Sequence, residues 1–139
     1  MFGADISYHT KLSKLWNAGF NSEFKYGTNV SAFTAATLAG KNISDYKMTG
    51  FYIIPFISRT INENNKSFVE FTCRYEYLED LNKNGNIGRF YTPMLSYVIG
   101  DDYTSKISLV GVISDYSKDI INTNQYSSKL LLLQYQIRF

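Results

Sequence analysis

The residues that decide the reading are Leu131-Leu132-Leu133-Gln134-Tyr135-Gln136-Ile137-Arg138-Phe139, the carboxyl end of the chain. Counting back from Phe139, every second residue is apolar or aromatic: Phe139, Ile137, Tyr135, Leu133, Leu131. Side chains alternate between the two faces of a strand, so these residues form one apolar row, and Gln134, Gln136 and Arg138 point the other way. The stretch is therefore a strand with one greasy and one polar face.

The same period of two recurs upstream, broken by Gly/Asn/Asp/Ser/Lys clusters. Eight such segments are expected, near 4–12, 14–26, 30–39, 46–59, 67–79, 87–99, 104–116 and the stretch that ends at Phe139. Two are especially clean. In one, Trp16, Ala18, Phe20, Ser22, Phe24 and Tyr26 oppose Asn17, Gly19, Asn21, Glu23 and Lys25; in the other, Val69, Phe71, Cys73, Tyr75 and Tyr77 oppose Glu70, Thr72, Arg74 and Glu76. The segment 30–39 is small and apolar, with ambiguous facing, and its Ala/Thr run also fits a short helix. The segment 46–59 is apolar on both faces near its middle, and Pro55 within it calls for a bulge, an edge or a strand end. Several segments alternate over 11–14 residues. Soluble strands centre on about five or six residues, whereas a tilted strand crossing a hydrocarbon core needs about 9–11.

Composition narrows the choice. Only 19% of the 139 residues are charged, below the ~25% of soluble domains, while 12 Tyr and 10 Phe suit strands. A net charge of +2 with scattered Lys and Arg leaves no footprint for nucleic acid. One cysteine, Cys73, excludes an intramolecular disulfide, and with the single His9 it removes the common zinc sites, so neither a metal nor a cofactor is expected. No apolar run reaches the ~18 residues of a membrane helix. The start, Met1-Phe2-Gly3-Ala4-Asp5, lacks the basic and apolar regions of a secretory signal.

A strand of this pattern ending on an aromatic residue resembles the closing strand of bacterial outer-membrane β-barrels. That resemblance implies an all-β, antiparallel, up-and-down transmembrane barrel of about eight strands, built by a single domain over residues 1–139. An even strand number would put both termini on one side. It further implies that Leu131, Leu133, Tyr135, Ile137 and Phe139 form the signal read by the barrel-assembly machinery, and that the other partner is the lipid bilayer. In this reading the apolar rows face lipid, and Glu23, Lys25, Glu70, Arg74, Glu76, Gln134, Gln136 and Arg138 form a polar network inside, where charges of both signs must pair. Aromatics near strand ends (Tyr8, Trp16, Tyr26, Tyr46, Tyr77, Phe90, Tyr103, Tyr116, Tyr126, Phe139) are expected to form interfacial girdles.

The function expected is a structural, surface or accessory role in the outer membrane, without catalysis. Two other readings are consistent with the pattern. The chain would be the C-terminal part of a larger channel or transporter barrel, a reading motivated by its abrupt start. It would otherwise be a soluble lipocalin-like barrel holding a small ligand, with Phe20, Phe24, Phe71 and Tyr75 inside. An enzyme would have to use His9 as base with Ser7, Ser13 or Asp5, and a polar wall or rim residue is the plainer reading of that His. Asp80, Asn82, Asn84, Gly85 and Ile87 match the first half of a calcium loop, but Tyr91 stands where a bidentate Glu belongs, so a hairpin turn is expected.

Overall fold

The computed structural model describes residues 2–28, 42, 46–81, 85–100, 105–119 and 126–137. Seven strands follow one another: β1 (Phe2–Lys11), β2 (Trp16–Thr28), β3 (Lys47–Asn62), β4 (Ser67–Asp80), β5 (Ile87–Ile99), β6 (Ser105–Tyr116) and β7 (Ser128–Ile137). They form one sheet in the order β1-β2-β3-β4-β5-β6-β7, and every neighbouring pair is antiparallel. Among the described residues there is no helix that could pack as a second layer.

Two expectations change. The segment 30–39 lies outside the described residues, but the β2–β3 ladder runs unbroken from Trp16↔Arg59 to Thr28↔Lys47, so no strand stands between them. Among the described residues the sheet has seven strands, where eight are expected from the sequence. It is also not closed: β1 and β7 are both edges, and no ladder joins them among the described residues.

The register explains how one sheet sorts its side chains. Direct cross-strand neighbours form the row Thr10–Ala18–Ile57–Phe71–Leu95–Leu109–Leu133. One residue along each strand lies the row Lys11–Asn17–Ser58–Glu70–Ser96–Ser108–Gln134. The first row points to one face and the second to the other, as the pleat requires. A slip of one residue anywhere would exchange them.

Exposure on these faces is the reverse of a soluble protein's. Phe71, Leu95, Leu109 and Leu133 are 48%, 51%, 47% and 77% exposed, whereas Ser58, Glu70, Ser96 and Ser108 are buried. Among the described residues the buried apolar side chains are Val98 and Val110 alone, against Ser58, Ser67, Glu70, Thr72, Asn86, Ser96 and Ser108 on the polar side. A sheet without a second layer buries one face by curling round it, so the polar face is concave. The apolar face carries its own aromatic contacts, Phe51 on Tyr75 and Tyr77 at 5.7 and 5.6 Å and Tyr75 on Tyr91 at 5.0 Å. Cross-strand pairs of this kind contribute roughly 0.2–1 kcal/mol each.

A line of unusual residues crosses the apolar face: Phe20–Pro55 in the β2–β3 ladder, then Cys73–Pro93 in the β4–β5 ladder. Pairing is absent where Pro55 would meet β4 and where Pro93 would meet β6. Proline has no N–H to give to the ladder there. Gly111 makes room beside Pro93, whose Cγ would lie 3.2 Å from a Cβ on that glycine. Pro55 therefore sits in a strand interior at a gap in one ladder, neither at an edge nor at a strand end.

The two ends of the sheet differ. One end carries the connections 12–15, 63–66 and 100–104, here termed the turn end. The other, the loop end, carries 29–46, 81–86 and 117–127, each longer. In the connection 63–66, Lys66 takes a positive φ of 52°, and Asn62 and Asn65 side chains accept hydrogen bonds from the backbone N–H of Asn64 and Ser67.

Candidate functional site: the polar concave face

The chemistry of this chain lies on the concave face. Alternation alone places its residues there: Asp5, Ser7, His9 and Lys11 from β1, Asn17 to Lys25 at odd positions from β2, and Glu70, Thr72, Arg74 and Glu76 from β4. Among the described residues, hollows open on it at both ends. The larger, of about 550 Å³ toward the turn end, is lined by His9, Asn21, Phe56, Ser58, Glu70 and Thr72 among others. The smaller, of about 140 Å³ toward the loop end, is lined by Glu23, Lys25, Tyr52, Arg74, Glu76 and Leu78 among others.

Seven residues expected in a polar network share this face, and four of them meet as two ion pairs. Lys25 Nζ lies 2.9 Å from Glu23 Oε1. Arg74 Nη2 lies 2.8 Å from Glu76 Oε2, and its guanidinium covers the Tyr52 ring at 4.8 Å. These groups keep part of their exposure, so each pair contributes little to stability. Glu70 is different: it is buried, and Lys106 Nζ reaches over from β6 to 3.9 Å. Gln134 and Gln136 lie on the same face but on the exposed edge strand β7, and Arg138 and Phe139 are outside the described residues.

Lys106 was not among the residues expected to form the network. The signal was present, since it alternates in phase with Ser108 and Val110, but a lone Lys beside the Gly100-Asp101-Asp102 turn reads as a solvated strand end. Two buried hydroxyls, Ser96 and Ser108, were missed for a similar reason: serine carries no pattern of its own, and only the register brings their Oγ atoms to 2.9 Å.

His9 Nε2 lies 3.3 Å from Asn21 Oδ1, and its ring stands edge-on to Phe56 at 5.0 Å. Gly19 makes this contact geometrically feasible, because a Cβ there would come within 2.8 Å of Phe56 Cε1. The partner of the imidazole is thus an amide and an aromatic ring, an arrangement that holds the ring on the wall.

The hairpin near Asp80 is tied from outside. Asp80 N–H donates to Asn86 O at 3.0 Å. The buried Asn86 side chain accepts from Ser117 Oγ (2.8 Å) and from Lys118 N–H (3.0 Å), and donates to Lys118 O (2.8 Å). Ser117 Oγ accepts from Ile87 N–H at 3.0 Å, closing the knot between the 81–86 and 117–127 connections. Asn82 and Asn84 are outside the described residues. Among the described residues, no cluster of His, Cys, Asp or Glu is arranged to hold a metal ion.

No protein family, curated protein or solved structure matches this chain. Its chemistry must therefore be read from its own residues.

The aromatics divide between the faces. Tyr8, Trp16, Tyr26 and Tyr77 belong to the apolar rows. Phe90 and Tyr116 do not: Phe90 is in phase with Glu76 and Ser114 and packs edge-on against Tyr116 at 5.4 Å, on the concave side. Gly88 leaves room for this pair, since a Cβ there would touch both rings at 3.0 Å. The expected girdle loses these two members, while Tyr103 and Phe139 fall outside the described residues. Arg59, by contrast, stands in the outward row of β3 toward the turn end, with its guanidinium 5.6 Å from the Trp16 ring.

Proposed function

We propose that this protein is an integral β-barrel of a bacterial outer membrane, with a structural, surface or accessory role and no catalytic one. One observation carries the reading: across β3 to β6, the apolar row of each strand is exposed while the buried side chains of the opposite face are mostly polar. In water, exposing Phe71, Leu95, Leu109, Leu131 and Leu133 together would forfeit the main force that folds a chain. In a bilayer the same rows meet acyl chains, and β2 to β6 have a ladder on each side to take up their backbone polar groups.

Dimensions support it. The row from Val69 to Tyr77 extends about 26 Å along the strand at ~3.3 Å per residue. A tilt of about 40° reduces this to about 20 Å of height, near the ~25 Å band of membrane barrels. Charges mark its limits. Arg59 stands at the turn end, and Glu79, Lys129 and the Arg89–Asp115 pair (3.5 Å) at the loop end. Longer connections on one side and short turns on the other match outward-facing loops and periplasmic turns. β7 runs toward the turn end, as a strand recognised from the periplasm by the assembly machinery would, through Leu131, Leu133, Tyr135, Ile137 and Phe139.

The odd strand number and the two open edges favour a second reading, in which the chain is part of a larger barrel that forms a channel or transporter. Reconstitution into liposomes tests both. The first reading expects the chain to float with the lipid, to migrate differently on a gel before and after boiling, and to add no conductance. Conductance would favour the second, and a chain that stays in solution without lipid or detergent would overturn both.

A further inference from the structure

We infer that Arg59 and Trp16, on the outward face toward the turn end, hold the phosphodiester of an anionic phospholipid from the leaflet on that side. The inference rests on the membrane reading above. Arg59 is exposed and stands in the row Trp16–Arg59–Val69–Tyr97–Ile107–Tyr135, between Ile57 and Ile61 on its own strand. Among the described residues it is the one charged side chain in the turn-end half of the outward rows. Lys47, Glu79, Arg89, Asp115 and Lys129 all lie toward the loop end.

The sheet itself does not answer this charge. Arg74 pairs with Glu76 at 2.8 Å and Arg89 with Asp115 at 3.5 Å, whereas Arg59 pairs with no carboxylate among the described residues. Glu63, in the adjoining connection, is held by Lys14 at 3.0 Å. The Trp16 ring takes the guanidinium at 5.6 Å, a contact that steadies the group without neutralising it. An unpaired charge at the edge of a hydrocarbon layer is costly. Arg59 lies close before Asn62, the end of β3, about 10 Å along the strand at ~3.3 Å per residue. From there a long side chain lays its stem on the apolar face and lifts its head toward the layer of phosphates.

The chemistry of the pair and its surroundings selects the ligand. The guanidinium fork offers paired N–H donors that match two oxygens of a phosphate. Ile57 and Phe71, 39% and 48% exposed in the next row toward the middle of the sheet, offer apolar surface to the acyl chains of the same molecule. A free inorganic anion would gain the fork but nothing from these rows, so the occupant is a lipid and not a soluble phosphate. The pair is also built before a ligand arrives. Trp16 O accepts from the N–H groups of Leu12 (2.9 Å) and Ser13 (3.2 Å), and Thr60 N–H donates to Leu15 O at 2.8 Å, which ties the 12–15 connection to β3 beside Arg59.

Trp16 is the single tryptophan of the chain, so its fluorescence reports this site. The full chain is reconstituted in phosphatidylcholine vesicles that carry a minor fraction of either brominated phosphatidylglycerol or brominated phosphatidylcholine as quencher. Phosphatidylglycerol should quench Trp16 more strongly, with an association about fivefold tighter. Arg59→Gln should abolish the preference, and Arg59→Lys, which keeps the charge without the fork, should retain part of it. Lys47→Gln removes the same charge from the opposite end of β3 and should leave the preference intact. The wild-type comparison and an added arm with millimolar inorganic phosphate decide the matter even where a variant fails to fold. Equal quenching by the two lipids, a preference that survives Arg59→Gln or falls equally with Lys47→Gln, or one abolished by inorganic phosphate would each overturn the inference. Flotation of the same vesicles is scored alongside. A chain that neither floats nor is quenched sinks the membrane reading and this inference with it, whereas a floating chain quenched equally by both lipids sinks only this one.

Discussion

Gly19 shows most directly how single residues shape the concave face. Its missing side chain lets His9 from β1 and Phe56 from β3 meet above it at 5.0 Å, and a Cβ would clash with the Tyr8 carbonyl oxygen and intrude on the Phe56 ring at 2.8 Å. Gly19→Ala should cost about 1–3 kcal/mol through overpacking, read as a lower urea midpoint from Trp16 fluorescence in lipid. Ser67 makes the opposite case. It is fully buried and its Oγ has no hydrogen-bond partner among the described residues. Ser67→Ala should be neutral or stabilising by up to about 1 kcal/mol, since it removes a desolvated hydroxyl. Glu70 and Lys106 belong together at 3.9 Å with little exposure. Lys106→Met should cost about 3 kcal/mol, because it withdraws the ammonium facing a buried carboxylate, and adding Glu70→Gln should recover most of that loss. A double-mutant cycle in the same unfolding assay checks both figures. Glu70 was legible in the sequence as part of the β4 polar row. The identity of its partner was not, since residues 36 apart in the chain meet only through the β4–β5–β6 register.

At the scale of elements, the apolar row distinguishes lipid from water. Leu95 occupies the middle of the β5 outward row between Tyr91 and Ile99 and is half exposed. Leu95→Arg should destabilise the protein by about 2–4 kcal/mol if that row faces the bilayer midplane. On a water-exposed face the same change falls within about 0.5 kcal/mol, so lipid-based unfolding titrations separate the alternatives. The strands themselves were legible wherever alternation was strict. Segments 14–26 and 67–79 correspond to β2 and β4 within a few residues, and the carboxyl-terminal row lies on one face of β7 from Leu131 to Ile137. Pro55 was harder, since proline argues against a strand interior, and Pro93 lies in a strand interior as well. Both prolines are accommodated because each faces a gap in one ladder, which only the pairing reveals.

At the scale of the whole molecule, the sheet has an exposed apolar face and a concave polar one, and no second layer among the described residues. A protein built this way should stay folded in mild detergent until it is boiled, and so run at different positions on a gel before and after heating. It should aggregate when detergent is withdrawn, because the rows of Phe71, Leu95, Leu109 and Leu133 then meet one another. Identical migration in both lanes, with a soluble chain after detergent removal, would contradict the membrane reading. The count of eight strands was an inference from composition in 30–39, where apolar content without a clear facing is compatible with several structures.

Strand periodicity, the facing of each side chain and the all-β class follow from local chemistry, because the pleat forces alternate residues apart whatever the strand is paired with. Which strands are neighbours, that β2 meets β3 directly, that Lys106 stands over Glu70, and that the two edge strands run the same way are properties of the ladders. Those depend on contacts between residues far apart in the chain, and no local pattern encodes them.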